Sequence, residues 1–291
     1  MSDHPATSLR TLLAEGTVMC PGAWNALVGR AIAASGFRAA YISGGATANA
    51  SGVPDVGMLT MSEVCRTIRE VAEASGLPIV ADADTGYGEE EMIIRAVHEY
   101  DRAGAAGMHL EDQVFPKRCG HLDGKALVTG ERMVENIRAA VAAKNHPDFL
   151  VIARTDARSV EGMNAAVDRA LSYREAGADM IFPEGLTSED EFGEFAERCP
   201  GLLLANMTEF GKTPILNIEA FSKLGYDLVI YPVTMQRIAM GAVVQALEVL
   251  GRDGDVSGLL DAMQTREELY DLLGYTPGTP WIHPNPATPT S

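Results

Sequence analysis

One phrase recurs along the chain: an amphipathic stretch, a small residue followed by glycine, and then a short apolar run without polar alternation. It occurs at Ser35-Gly36 before residues 39–42, Ser75-Gly76 before 78–80, Ala103-Gly104 before 107–110, Ala176-Gly177 before 179–182 and Leu224-Gly225 before 228–231. Glycine just past a helix supplies the left-handed C′ conformation, and a uniformly apolar run is the pattern of a strand buried on both faces. Runs at 17–19, 149–153 and 202–205 bring the strand count to about eight, separated mainly by amphipathic segments such as 61–74 and 163–176. This alternation predicts a TIM-type (β/α)8 barrel. The competing doubly wound sheet calls for a GxGxxG turn after a strand and a division into halves, and neither is present. Segments 235–250 and 258–273 read as two further helices, so residues 1–275 are expected to form one barrel domain with a C-terminal helical extension. Prolines at 277, 280, 284, 286 and 289 block helix and central strand, which marks 276–291 as a proline-rich tail, either mobile or strapped onto a neighbouring subunit.

Composition narrows the partners. With 46% hydrophobic and 22% charged residues, the 291-residue chain can bury a large core without staples. A formal net charge of −17 repels phosphates and anionic lipid, which argues against nucleic acid and membrane partners. No run approaches the roughly 18 apolar residues of a membrane span, and residues 1–10 lack a signal-type apolar core. Cys20, Cys65, Cys119 and Cys199 are widely spaced with no CxxC pair, so a reducing cytoplasm is expected. An anionic substrate would need local cations working against the global field.

In a parallel barrel, the polar residues that follow each strand share one mouth. The chain supplies Ser43-Gly44-Gly45, Asp82 and Asp84, Glu111-Asp112, Arg154-Thr155-Asp156, Glu184, Asn206 with Thr208, and Arg237. Singly, each reads as a helix cap or an ion pair; their joint placement points to a site. Asp82 and Asp84 point the same way in extended chain, and with Glu111 they make an oxygen set of the kind Mg²⁺ takes. A capping and salt-bridge network is the structural alternative. Zinc is less suited, because no His pair at helix spacing accompanies the acids. Cys119 lies between Lys117-Arg118 and His121, a positive setting that favours the thiolate and suits proton transfer near neutral pH. The other three cysteines sit in apolar or helical surroundings and read as inert.

Eight motifs together resemble the isocitrate lyase and phosphoenolpyruvate mutase superfamily, and within it the branch that acts on 2-methylisocitrate. They are Tyr41-Ile42-Ser43-Gly44-Gly45, Asp82-Ala83-Asp84-Thr85-Gly86-Tyr87-Gly88, Glu111-Asp112-Gln113, Lys117 to His121, Ala153 to Asp156, Phe182-Pro183-Glu184, Asn206 to Gly211 and Met263 to Arg266, and they span most of residues 9–275. The resemblance implies Mg²⁺ held by Asp82 and Asp84, directly or through water, with Glu111 supporting. It implies a substrate carboxylate at Ser43, Gly44 and Gly45, and a pocket completed by Cys119, Gly120, Arg154, Glu184, Asn206, Thr208, Arg237 and Arg266. No organic cofactor is implied. Family members are usually homotetramers, so exchange of the C-terminal helices between subunits is expected.

The implied reaction is a retro-Claisen cleavage of a di- or tricarboxylate, giving pyruvate and succinate from 2-methylisocitrate. Tyr41, its pKa lowered by metal and cations, would be the base, and Cys119 the acid that quenches the carbanion. His121 and Glu184 would set the state of the thiol, Phe182 would pack the extra methyl, and the glycine-bearing stretch 113–125 would act as a lid. Three alternatives stay open: a lyase on isocitrate or 2,3-dimethylmalate, a P–C bond-forming phosphonomutase of the carboxyphosphonoenolpyruvate type, and a binding protein on a retired barrel.

Overall fold

A computed structural model of the chain describes residues 3–120, 122 and 124–286. It contains eight strands: β1 (Val18–Pro21), β2 (Ala40–Ile42), β3 (Ile79–Asp82), β4 (Ala105–Glu111), β5 (Leu150–Thr155), β6 (Met180–Pro183), β7 (Leu204–Asn206) and β8 (Leu228–Tyr231). All paired strands are parallel. β2 to β6 form one ladder in chain order, and β7, β8 and β1 form a second. Single parallel bridges join the two at Gly22 with Tyr41 and at Ile181 with Leu203. Each seam is reinforced: the Ala23 N–H donates to the Tyr41 carbonyl at 2.8 Å, and the Ile181 N–H to the Leu202 carbonyl at 3.0 Å. The strands thus follow one another in the cyclic order of the expected (β/α)8 architecture.

Every residue of β3, β4, β5 and β6 is buried, as an apolar run without alternation requires. The five glycines of the recurring phrase, at 36, 76, 104, 177 and 225, all have φ between 69° and 104°. The helix Met61–Ser75 opens with a reciprocal Thr60/Glu63 capping box and turns Val64, Ile68 and Val71 inward at helical spacing. Against it packs the helix Ala26–Ala34, at Gly29, where a Cβ would come within 2.9 Å of Val71 Cγ1.

The C-terminal region differs from the sequence reading. The single helix expected over 258–273 is divided into a 3-10 turn, Ser257–Ala262, and a helix, Arg266–Leu273. Thr265 causes the break: its hydroxyl and the Glu268 carboxylate form a second capping box, which starts a new helix and overrides the apolar periodicity. The helix Thr234–Asp253 buries only Gln236 and leaves Ile238, Val244 and Leu247 exposed. Beyond it, the chain makes contacts with the helices Arg266–Leu273 and Ala26–Ala34. Trp281 Nε1–H donates to the Leu273 carbonyl at 2.9 Å, and the buried Arg30 guanidinium donates to the carbonyls of Leu272 and Asn285. Among the described residues no helix is long and apolar enough to cross a membrane.

Candidate active site

A cavity of about 280 Å³ opens at the C-terminal ends of the strands. Asp82 closes β3 and Glu111 closes β4, so adjacent strands deliver both acids to one wall. Asp82 accepts from the Gly44 N–H at 3.1 Å and the Asp84 N–H at 2.9 Å. Lys117 Nζ lies 2.8 Å from Asp84 Oδ1 and also pairs with Asp55. Burial works to raise the Asp82 pKa, but His109, Lys117 and Arg154 together overcome it and hold the carboxyl at about 2. Asp84 is pushed up to about 6 by burial and by the Asp82 charge beside it.

Glu111 is 2% exposed, and neither of its carboxylate oxygens has a hydrogen-bond partner. Arg154 Nε approaches Oε2 only to 3.4 Å, and burial pushes the Glu111 carboxyl well above the usual range. Buried hard oxygens left without donors suit a hard cation. Among the described residues, no three His, Cys, Asp or Glu side chains gather closely enough to hold a metal by themselves. The fit is therefore to an ion that keeps several waters, as Mg²⁺ does.

Arg154 stands beside Glu111 on the adjoining strand, β5. It donates to Asp156 from Nε at 3.0 Å and Nη2 at 3.2 Å, approaches Glu184 Oε2 to 3.4 Å and covers the face of Phe182 at 5.1 Å. Lys125 Nζ pairs with Asp156 at 2.6 Å and donates to the Gly120 carbonyl, tying the Cys119 loop to the barrel. A second clasp forms where the Gln113 side chain exchanges two 2.9 Å hydrogen bonds with the Arg118 backbone. Gly120 is obligatory here: a Cβ would lie 2.6 Å from Glu184 Cγ and closer still to Arg154 Nη2. Lys117, Gly120, Leu122 and the partly exposed Cys119 thus line the pocket from this loop.

Tyr41 faces the same cavity, and its hydroxyl lies 2.6 Å from His109 Nε2. Burial pushes the phenol well above its usual value, and burial lowers His109 to about 4. The lowered Tyr41 pKa anticipated from the sequence is therefore not produced by the protein's own groups, because burial and the surrounding carboxylates outweigh Arg154.

Most of the expected residues meet at this pocket: Tyr41, Ser43, Gly45, Asp82, Cys119, Gly120, Arg154, Glu184, Asn206, Thr208 and Arg237 line it. The other expected residues are placed differently. The Gly44 N–H is committed to Asp82 instead of facing a substrate carboxylate, because the start of the helix Gly44–Ala50 abuts that acid. Arg266 is exposed at the first turn of the helix Arg266–Leu273 and does not line the pocket, since the extension leads away from the barrel mouth. Asp84 and Glu111 line a neighbouring cavity behind the carboxylate wall. His121 lies outside the described residues. Ser43 is in part a helix cap, accepting from the Ala46 N–H at 3.2 Å. Asn206 donates to Glu184 at 3.0 Å and leaves its Oδ1 without a partner. Sequence reasoning missed His109, the one polar side chain within the apolar part of β4; its spacing of two from Glu111 was the available signal. Asp55 was missed because it lies on a loop with no strand to position it.

Residues 9–250 match the family model described as phosphoenolpyruvate phosphomutase. The chain belongs to the phosphoenolpyruvate phosphomutase family. A probable 2-methylisocitrate lyase of Corynebacterium glutamicum is 50% identical over 91% of this chain and 87% of its own. A 2-methylisocitrate lyase of Aeropyrum pernix is 47% identical over 94% and 88%. Among solved family members, the trigonal crystal form of a 2,3-dimethylmalate lyase superposes with a TM-score of 0.88 at 37% identity, covering 94% of this chain and 93% of the other. A phosphonopyruvate hydrolase in complex with oxalate and Mg²⁺ superposes with a TM-score of 0.85 at 32% identity, covering 94% and 95%.

Proposed function

We propose that this chain is a Mg²⁺-dependent carbon–carbon lyase that cleaves 2-methylisocitrate to pyruvate and succinate, acting in the cytoplasm as a tetramer. The observation that supports the reading is the seating of Gly120, next to Cys119, against Arg154 and Glu184 in the pocket that Asp82 lines, with the donor-starved Glu111 carboxylate on the strand beside Asp82. Asp82 and Asp84, largely through water and with Glu111 behind them, would hold Mg²⁺, which supplies Lewis-acid stabilisation of the negative charge that develops as the bond breaks. Tetramer formation would cover the apolar face of the helix Thr234–Asp253.

The chain's own residues account for the rest. Arg154 and Arg237, with the Ser43 hydroxyl and the Gly45 N–H, bind the substrate carboxylates. Tyr41 Oη takes the proton of the substrate hydroxyl while its own proton moves along the 2.6 Å bond to His109 Nε2. That nitrogen is available because burial keeps His109 neutral at pH 7, and Asp82 Oδ1, 3.7 Å from Nδ1, steadies the charge it gains. The C2–C3 bond breaks, C2 becomes the pyruvate carbonyl carbon, and the electron pair stays on the succinate fragment. Cys119 delivers a proton to that carbanion, and the clasped loop keeps bulk water from quenching it elsewhere. Phe182 is fully buried, fixed by Arg154 on its face and by His109 edge-on. It presents an apolar surface to the extra methyl, a contact worth about 1 kcal/mol against isocitrate.

The test is 2-oxo acid release (glyoxylate from isocitrate; pyruvate from 2-methylisocitrate, 2,3-dimethylmalate and phosphonopyruvate), measured in parallel with Mg²⁺ and with EDTA. Mg²⁺-dependent turnover highest on 2-methylisocitrate is expected. Turnover confined to another of the four, or unaffected by EDTA, overturns the assignment.

A further inference from the structure

Behind the carboxylate wall lies a second cavity of about 610 Å³, more than twice the volume of the substrate pocket. It reaches the surface between Met58 and Phe115, which are 58% and 62% exposed, and runs inward past Met92 to Asp84 and Glu111. The two cavities divide the acids between them. Asp82 faces the substrate pocket, whereas Asp84 and Glu111 line the second cavity, where the Glu111 oxygens have no hydrogen-bond donor. The cations that pair with these acids stand on the other side: Lys117 and Arg154 line the substrate pocket and not the second cavity. The second cavity contains one cation, Arg132, and its guanidinium is paired with Glu89 and Glu135 at the rim.

We infer that the second cavity is the access route by which a hydrated divalent cation reaches and leaves Asp84 and Glu111 without crossing the substrate pocket. In the substrate pocket Asp55, Glu184 and Glu209 are already paired with Lys117, Arg154 and Arg237, and a dication entering there reaches Asp84 and Glu111 only past the Lys117 ammonium and the Arg154 guanidinium. From behind, the one guanidinium, Arg132, is neutralised by Glu89 and Glu135, and no other cation among the described residues lines the way to Asp84 and Glu111. A dication feels a nearby cation at twice the strength that a single charge would, so the placement of Lys117 and Arg154 on the substrate side bears on the path. Its volume of about 610 Å³ leaves room for an ion with its water shell, which Mg²⁺ sheds reluctantly. Metal exchange then remains open while the clasped loop and a bound dicarboxylate close the front.

The inference rests on the Mg²⁺ reading above, and the experiment separates the two. Rapid mixing of the full-length, metal-free protein with Mn²⁺, followed by loss of the free-ion electron paramagnetic resonance signal, gives the association rate. Chelation with EDTA gives the release rate, and both are read with and without saturating succinate. Met58→Trp, a change on the exposed rim, is expected to slow association and release at least tenfold while the Mn²⁺ Kd stays within twofold. Phe115→Ala is expected to speed both, and Phe210→Trp, at the mouth of the substrate pocket, to leave both unchanged. Rates insensitive to Met58→Trp and Phe115→Ala, or slowed by Phe210→Trp instead, overturn the route while leaving the metal site intact. Failure of the unmodified protein to bind Mn²⁺ overturns the metal reading and the route with it.

Discussion

Tyr41 of β2 and His109 of β4 meet across the barrel interior at 2.6 Å, both buried, with the His109 ring held edge-on by Phe182. A phenol whose pKa burial raises is a poor base by itself; a neutral imidazole hydrogen-bonded to it makes its deprotonation local. Tyr41→Phe keeps the ring and removes the proton path. Turnover should fall by about 10²- to 10⁴-fold, the range for general acid–base groups, while Mn²⁺ and succinate still bind by calorimetry. Tyr41→Phe with kcat near that of the unmodified enzyme would remove Tyr41 from the chemistry.

The same burial makes His109 a pH-dependent element of stability. Its folded pKa is about 4 against about 6.5 when unfolded, so between these values the unfolded chain takes up a proton that the folded chain does not. The stabilising difference is complete above pH 6.5 and is lost as pH falls toward 4, by up to about 3 kcal/mol. Urea unfolding of the metal-free protein at pH 7.5, 6, 5 and 4.5 should show this decline, and His109→Gln should flatten it. Equal slopes in the two proteins would contradict the buried, neutral histidine.

Cys119 touches the pocket from a loop instead of a strand, so its chemistry is separable from the fold. Cys119→Ala should abolish succinate formation with the melting temperature unchanged and Mn²⁺ affinity retained. Persistent turnover in this variant would hand the protonation step to another group.

The barrel was legible because each helix-ending glycine and each buried strand is a local signal, and the strand-end acids follow from parallel topology. What the chain concealed depends on non-local placement. Gly44 looks like a carboxylate cradle until Asp82 is found against its N–H. Glu111 looks like a member of one cluster until a second cavity is seen behind it. Arg266 belongs to a motif, yet a capping box one residue earlier starts a helix that carries it away from the mouth. His109 was hidden by its strand, where a single polar residue reads as an interruption of the core.

Gly120 shows how closely the loop and barrel are fitted. With a Cβ 2.6 Å from Glu184 Cγ, either Glu184 shifts, breaking its 3.0 Å bond from Asn206, or the loop lifts and takes Cys119 with it. Gly120→Ala should therefore lower kcat/KM by at least about 10²-fold, the scale of an ångström-sized misplacement. It should cost little stability, since the loop is not core. A circular dichroism melt beside the kinetics distinguishes this from general unfolding, and an active Gly120→Ala protein would mean that the loop does not close in this position during turnover.

Lys125 connects the lid to the barrel from below. Its side chain is 1% exposed and Asp156 is fully buried, and the ammonium holds both the Asp156 carboxylate and the Gly120 carbonyl. Lys125→Met preserves the aliphatic stem and removes the charge, leaving the buried Asp156 with only Arg154 as its cation and Gly120 without its tether. Breaking a buried ion pair from one side costs on the order of 3 kcal/mol, softened here because Arg154 still donates twice. Urea unfolding should show a loss of roughly 2 kcal/mol or more. Activity should fall beyond what the unfolded fraction explains, because Cys119 loses its fixed height over the pocket. Adding Asp156→Asn to Lys125→Met removes the stranded charge and should recover part of the stability but none of the activity. That split assigns the stability to the ion pair and the activity to the Gly120 tether, and recovery of both together would show that the tether plays no part.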